Sequence, residues 1–335
     1  MYWPRCWYFN HLTTITNQVI TEPRGDMSVN TGAPSSAAKK RHALAFALLL
    51  LAGALFGAFY KPSPGAFSSR DDAGEEFQFA TLPALPSWAN APLPDFSGYA
   101  DTDEKKAAFF EFLFPRIVLA NSRILLERKY LDALAAKSEL TGKEKQWLKD
   151  EAKRLRVDLA LAGKAQIAKL KRRLDVIPPS LIMAQAANES AWGTSRFAVE
   201  GNNLFGQWCF SAGCGLVPLS RVSGASHEVA TFSSPYRSVL AYIQNLNRHP
   251  AYQTLRDIRL TDRKQQEPLS GKGLAAGLEL YSERGEEYIG EITAMIRHNN
   301  LTVYDQAFAE ILQDQNPAHL QQLASARDID ELLPR

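Results

Sequence analysis

Apolar residues recur at helical spacing through most of the chain after residue 100. Leu113, Ile117, Ala120, Ile124, Leu131 and Leu134 form one stripe, so a long amphipathic helix is expected up to about Lys137. Asp101 followed by Glu104 supplies a capping box at its start, and Pro115 falls in its early turns or kinks it. Thr141 with Glu144 opens a second helix to about Asp158, and a third segment covers 163–174. Pro178 and Pro179 can only open a helix, because proline fixes φ and lacks an N–H. Behind them Leu181, Ile182, Ala184, Ala186, Ala187, Ala191 and Trp192 make the segment apolar nearly all round, as in a buried helix. Gly193 closes it.

After Gly206 the pattern changes. Residues 216–222 and 227–232 carry β-branched and apolar side chains around Ser223-Gly224-Ala225-Ser226, which reads as a β-hairpin. Ser234 and Pro235 are an N-cap and a first helical residue. The helix they start has Tyr236, Val239, Leu240, Ile243 and Leu246 as its stripe and ends before Pro250. Residues 274–281 and 286–297 read as two more helices, and 304–335 as a helical, peripheral tail. The expected fold class is mainly α with a small β-hairpin lobe.

The first hundred residues follow another logic. Residues 1–41 show no periodicity. Lys39, Lys40 and Arg41 precede 18 uncharged residues, 43–60. At the helical rise this run spans roughly 27 Å, enough for a bilayer core. The basic cluster before it and Asp71, Asp72, Glu75 and Glu76 after it put the N-terminus in the cytoplasm and export the rest. An uncleaved anchor over 42–60 is the expectation. The competing reading is a cleaved signal peptide, with Ala52-Gly53-Ala54 as a small-residue site. Met27 precedes a more conventional leader and is an alternative start. Residues 61–100, with Pro62, Pro64, Pro83, Pro86, Pro92 and Pro94, read as a linker. Phe77, Phe79, Trp88 and Phe96 suggest that its latter half lies along the folded part.

The 335 residues are 45% hydrophobic and 22% charged, which allows one or two domains with a real core. A formal net charge of +2 excludes a large electrostatic footprint for nucleic acid. Between 143 and 173 lie eleven basic residues against four acids. That is either a solvated helical face or an attraction to anionic cell wall or phospholipid headgroups. There are three cysteines, Cys6, Cys209 and Cys214, with no zinc-type Cys/His cluster. His227 has no partner at ligand spacing, so neither metal nor cofactor is expected. Cys209 and Cys214 can pair if their loop folds back in an oxidising compartment, and Cys6 stays cytoplasmic.

The candidate chemistry centres on Glu189. It is seven residues after Ile182 and four after Gln185, so it shares a stripe with them. Partial desolvation there raises a carboxyl pKa and suits it to donate a proton.

Glu189-Ser190-Ala191-Trp192-Gly193-Thr194-Ser195, followed by Asn202-Asn203-Leu204-Phe205-Gly206, resembles the active-site signature of bacterial peptidoglycan glucosaminidases, glycoside hydrolase family 73. More narrowly, it looks like the Bax-type proteins within that group. The resemblance continues through Gln207-Trp208-Cys209, Gly213-Cys214-Gly215, the 234–247 segment and Tyr281-Ser282-Glu283-Arg284-Gly285, and covers about 165–305. It implies a lysozyme-like helical domain over 165–305, preceded by a helical support region at 101–164 and followed by a tail at 306–335. The implied reaction is hydrolysis of the β-1,4 bond after N-acetylglucosamine, with Glu189 as general acid. Glycoside hydrolysis also needs a second group, either a carboxylate or the substrate's own acetamido oxygen. Relatives often carry that acid on the hairpin, where this chain offers Glu228 near the end of the second strand.

Tyr281 sits where the family has a cleft-facing tyrosine, able to hydrogen-bond the acid, the sugar or the N-acetyl carbonyl; a core tyrosine is the other reading. Trp192, Asn202, Asn203, Phe205 and Trp208 are the substrate-binding candidates. Trp208 is the better sugar platform, Trp192 and Phe205 read as core under the loop more than as platforms, and the asparagines either shape the loop or reach sugar hydroxyls. The implied partners are glycan strands and, through 42–60, the inner membrane, with the catalytic part in the periplasm. A lytic transglycosylase using the same Glu and a non-catalytic wall-binding protein are the competing classes.

Overall fold

Every residue from Leu113 to Glu127 is buried, so the helix that carries them, α1 (Thr102–Ala136), runs through the interior rather than over it. The computed structural model describes residues 82–219, 221 and 224–333. The N-terminal segment 1–41, the apolar run 42–60 and linker residues 61–81 lie outside them. Among the described residues no helix is long and apolar enough to cross a membrane.

The amphipathic reading of α1 is corrected by how its polar residues are used. Arg116 donates to Phe112 O (2.7 Å) and Trp88 O (3.2 Å). Asn121 donates to Ile177 O (2.8 Å) and accepts from Ile177 N (3.3 Å). Arg123 reaches Ala324 O at 2.8 Å, and Glu127 accepts from Arg154 at 2.7 Å. Polar groups with partners can be buried at little net cost, so the helix is covered on all sides over 113–127. Asp101 caps its start by accepting from Asp103 N and Glu104 N, and Pro115 lies inside it.

Beyond α1 come α2 (Gly142–Arg154), α3 (Gly163–Arg173), α4 (Pro179–Ser190) and α5 (Arg196–Gly201). Thr141 and Glu144 form the expected capping box of α2. That helix stops near Arg154 rather than Asp158, because Arg156 takes a left-handed φ of 56°. Helix α4 is the apolar segment behind Pro178, and ten of its residues are buried. The cause is its position, packed against α1 and against three later helices, α8 (Gly271–Ala275), α9 (Glu286–His298) and α10 (Thr302–Ile311). Its exit is tight, since Ala191, Trp192 and Gly193 all have positive φ. A Cβ on Gly193 would lie 2.7 Å from Phe96 Cδ2, so the glycine is required twice over. The short helix α5 follows at once, capped by Ser195, where the pattern suggested only loop.

The hairpin is a small three-stranded antiparallel sheet. Strands β1 (Trp208–Cys209) and β2 (Gly215–Leu216) flank β3 (Glu228–Ala230). The second expected strand is β3. The first, expected over 216–222, coincides with β2 only at Leu216, and β1 is an additional strand. Ser220, Val222 and Ser223, in the expected first strand and turn, lie outside the described residues.

The expected helix after Pro235 is α6 (Pro235–Arg248). An unanticipated helix, α7 (Gln253–Gln265), follows it. The segment expected to be helical over 274–281 is helical only through Ala275. The tail is not peripheral. Helix α11 (Pro317–Ala324) packs along α1, with Leu320, Leu323 and Ala324 buried, and Trp88 Nε1 donates to Ala326 O at 2.9 Å. Trp88 and the buried Phe96 also bring the latter half of the linker onto the core.

Candidate active site

Glu189 lies in the last turn of α4, one turn after the fully buried Gln185. The Glu189 residue is half-buried. Tyr288, on α9, donates its hydroxyl proton to Glu189 Oε1 at 2.8 Å, and Asn188 Nδ2 reaches the same oxygen at 3.4 Å. Gln185 fixes the direction of this bond. Its Nε2 donates to Tyr288 Oη at 2.8 Å, which leaves the single phenol proton for Glu189. Gln185 Oε1 in turn accepts from the hydroxyl of Tyr242 on α6. Three helices thus meet at one carboxylate through a chain of directed hydrogen bonds.

Burial pushes the Glu189 pKa up, and it outweighs the opposing pull of the Tyr288 and Asn188 hydrogen bonds and of the positive Arg284. Arg284 is itself held by Glu291, with Nη2 to Oε2 at 2.6 Å. Burial also raises the Tyr288 phenol well above its ordinary value, with Glu189 adding to it. Tyr288 therefore remains a proton-bearing donor across the working range.

The loop after α5 places backbone in front of the acid. Gly206 has φ +62°, and a Cβ on it would lie 4.0 Å from Glu189 Oε2. Asn203 is almost fully buried and all of its amide is engaged by backbone. Its Nδ2 donates to Gln207 O (2.9 Å) and Ala230 O (2.8 Å), and its Oδ1 accepts from Phe205 N (3.2 Å) and Gln207 N (3.1 Å). Asn202 takes the left-handed cap position of α5 and donates to Phe232 O at 2.9 Å. Phe205 is buried and stacks on Tyr242 with centroids 4.1 Å apart. Tyr281 donates to Phe205 O at 3.1 Å and lies parallel to Tyr288, centroids 5.3 Å apart. It thus braces both the loop and the tyrosine that touches Glu189.

Trp192 packs edge-on against Phe109 and Phe110. Trp208, half-buried on β1, has one face stacked on His227 at 4.1 Å.

Glu228 sits in β3 opposite Cys209. One of its oxygens accepts from Gly213 N (3.1 Å) and the other from Gly215 N (2.8 Å). These amides hold its pKa below the ordinary carboxylate value. A disulfide joins Cys209 to Cys214, with Cα atoms 6.2 Å apart. The Glu228 carboxylate therefore closes the same loop that the disulfide spans. The two sulfurs and a Glu228 oxygen lie within 4.8 Å of one another, but the sulfurs are bonded to each other and offer no thiolate to a metal.

Tyr288 and Tyr242 carry no mark in the local sequence as partners of the acid. Tyr242 does fall on the α6 stripe, three residues after Val239 and four before Leu246, and that spacing points it inward.

Residues 164–301 match the family model described as mannosyl-glycoprotein endo-beta-N-acetylglucosaminidase. The span contains Glu189, the Asn202–Gly206 loop, Glu228, Tyr281 and Tyr288. The chain is similar to Protein bax of Escherichia coli (strain K12), 36% identical over 211 residues, covering 63% of this chain and 75% of that protein. No solved structure matches it at a significant level.

Proposed function

The chain belongs to the glucosaminidase family, and from that membership we propose that it is a peptidoglycan hydrolase, an endo-β-N-acetylglucosaminidase cutting the β-1,4 bond after N-acetylglucosamine. Glu189 is its general acid. The observation that carries this reading is the carboxyl whose pKa burial raises and whose Oε1 is fixed by Tyr288 at 2.8 Å. A carboxyl kept protonated nearer neutral pH can protonate the leaving glycosidic oxygen. Oε2, which lies towards Gly206, is the oxygen we assign to that step.

The oxocarbenium-like centre needs a second group. Both Glu228 oxygens accept backbone amides, and a depressed pKa makes a carboxylate a poor base. We assign Glu228 to holding the loop and the second role to the substrate's own acetamido oxygen. Trp208, with one face free of His227, is the sugar platform, and Tyr281 positions Tyr288 and the loop.

The catalytic part works outside the cytoplasm, tethered to the inner membrane through 42–60. A disulfide in the domain suits an oxidising compartment, and the run 43–60 suits an anchor. The experiment that tests the assignment is digestion of purified peptidoglycan, with the released glycan ends identified by mass spectrometry.

A further inference from the structure

Away from Glu189, three helices end at one place. Helix α2 ends near Arg156, α3 at Arg173 and α6 at Arg248. Arg173 ties them together. Its Nη1 donates to Leu155 O (2.6 Å), Arg156 O (2.8 Å) and Arg248 O (3.2 Å). Arg256, buried at the start of α7, donates to Leu246 O (2.8 Å) and His249 O (2.9 Å).

The guanidinium groups of Arg173 and Arg256 thereby both reach carbonyls at the end of α6, the charge of Arg156 acts on Arg173 and on Arg248, and among the described residues none of the four is in an ion pair. Asp158, two residues after Arg156, accepts from Ala160 N at 2.9 Å, and other carboxylates of these helices are paired elsewhere. Asp257 pairs with Arg172, Glu127 and Glu151 with Arg154, and Asp175 with Arg128, Arg259 and Arg263. Three helix C-termini supply roughly half a negative charge each. Against four full cations, that leaves a clear positive surplus.

The surplus is reachable from solvent, since Arg156 is exposed and Arg173 and Arg248 are half-buried. Arg248 Nε is buried without a partner. Arg156 occupies the left-handed position just past a helix end, at φ 56°. Glycine is favoured there, and a larger residue costs about 1 kcal/mol. Burial, and then the positive charge of the neighbouring arginines, depress the pKa values of Arg173 and Arg248, and that of His249 likewise. The positive charges of Arg156, Arg173, Arg248 and Arg256 are not paired with a carboxylate among the described residues.

We propose that Arg156, Arg173, Arg248 and Arg256 form a binding site for a phosphoryl group, carried by a membrane phospholipid or by a small soluble phosphate. Arg156 and Arg248 supply the donors that meet its oxygens, while Arg173 and Arg256, pinned to carbonyls, supply charge. A single carboxylate would leave most of the surplus unmet, whereas a phosphoryl group brings several acceptor oxygens and up to two charges.

The test is thermal melting of the full chain in inorganic phosphate and in chloride at equal ionic strength. Saturating phosphate raises the melting temperature roughly 2–4 °C above chloride. The key variant is Arg156→Gly, which relieves the left-handed strain and so keeps the fold. Its melting temperature in chloride stays within about 2 °C of the parent's or rises, its glycan release is unchanged, and the phosphate-specific rise disappears. Vesicles of phosphatidylcholine with and without phosphatidylglycerol then identify the source. Binding that increases with phosphatidylglycerol, and no longer does so in Arg156→Gly, assigns the site to lipid; no increase assigns it to a soluble phosphate. Equal melting in phosphate and chloride, or an undiminished phosphate response in Arg156→Gly, overturns the site.

Discussion

Tyr288 donates to Glu189 Oε1 at 2.8 Å across 99 residues of chain, and Gln185, one turn before Glu189, dictates that it does so. The bond stabilises the charged carboxylate, and burial destabilises it more. The pKa of Glu189 is set by the balance of those two effects.

Replacing Tyr288 with Phe removes the stabilising side of the balance. A general acid must be protonated, so in the role proposed for Glu189 activity falls as pH rises through its pKa. Loss of the hydrogen bond raises that pKa further. In Tyr288→Phe the alkaline limb of the pH–rate profile moves to higher pH, and the maximal rate drops about tenfold from lost orientation. The pH–rate profile is the measurement. A limb that moves down in pH contradicts the assignment.

The same raised pKa makes Glu189 a pH-dependent cost. Its folded pKa lies above its unfolded one, so its contribution to stability is present below the ordinary Glu range and is lost as pH rises through the folded value. Glu189→Gln removes this dependence. At pH 8 the variant melts at or above the wild-type temperature, and below pH 4 the difference shrinks. Calorimetry across pH checks it.

Glu228→Gln separates loop-holding from base catalysis. The amide keeps one acceptor for the amides of Gly213 and Gly215 and turns an N–H donor against the other. That mismatch costs roughly 1–3 kcal/mol of stability, with a rate loss far smaller than at Glu189. Parallel melting and rate measurements decide it, and a rate loss equal to that of Glu189→Gln would return Glu228 to the chemistry.

The Cys209–Cys214 disulfide closes a short loop beside β3. Chain-entropy arguments give such a loop about 2 kcal/mol. The double variant Cys209→Ser with Cys214→Ser should be less stable to denaturant by that amount and bind wall fragments more weakly, while the residual activity keeps its pH profile. Denaturant unfolding and a binding assay read the two effects.

Much of this site was legible in the chain, and the reason differs by residue. Pro178, Pro179 and Gly193 bracket an apolar segment, and Glu189 stands out as its only carboxylate. Gln185 shares its stripe by simple i, i+4 geometry. Tyr288 was hidden because its partner is on another helix and no local period connects them. Glu228 reads as an ordinary hairpin acid until β1, only two residues long, shows it facing the 209–214 loop. Helix α1 misled in the opposite way. Arg116, Asn121 and Arg123 suggest a wet face, and each is instead buried against a backbone carbonyl of a distant segment. Such long-range partners leave no trace in periodicity, and the burial of the tail against α1 is hidden for the same reason.

The central claim is that Glu189 protonates a glycosidic bond after N-acetylglucosamine. Mass spectrometry of the glycan ends released from purified peptidoglycan by the wild-type protein and by Glu189→Gln tests it most directly. Reducing N-acetylglucosamine ends are expected from the wild type, with release lowered roughly 100- to 10,000-fold in the variant. Release of 1,6-anhydro-muramyl ends, or wild-type release from Glu189→Gln, contradicts it.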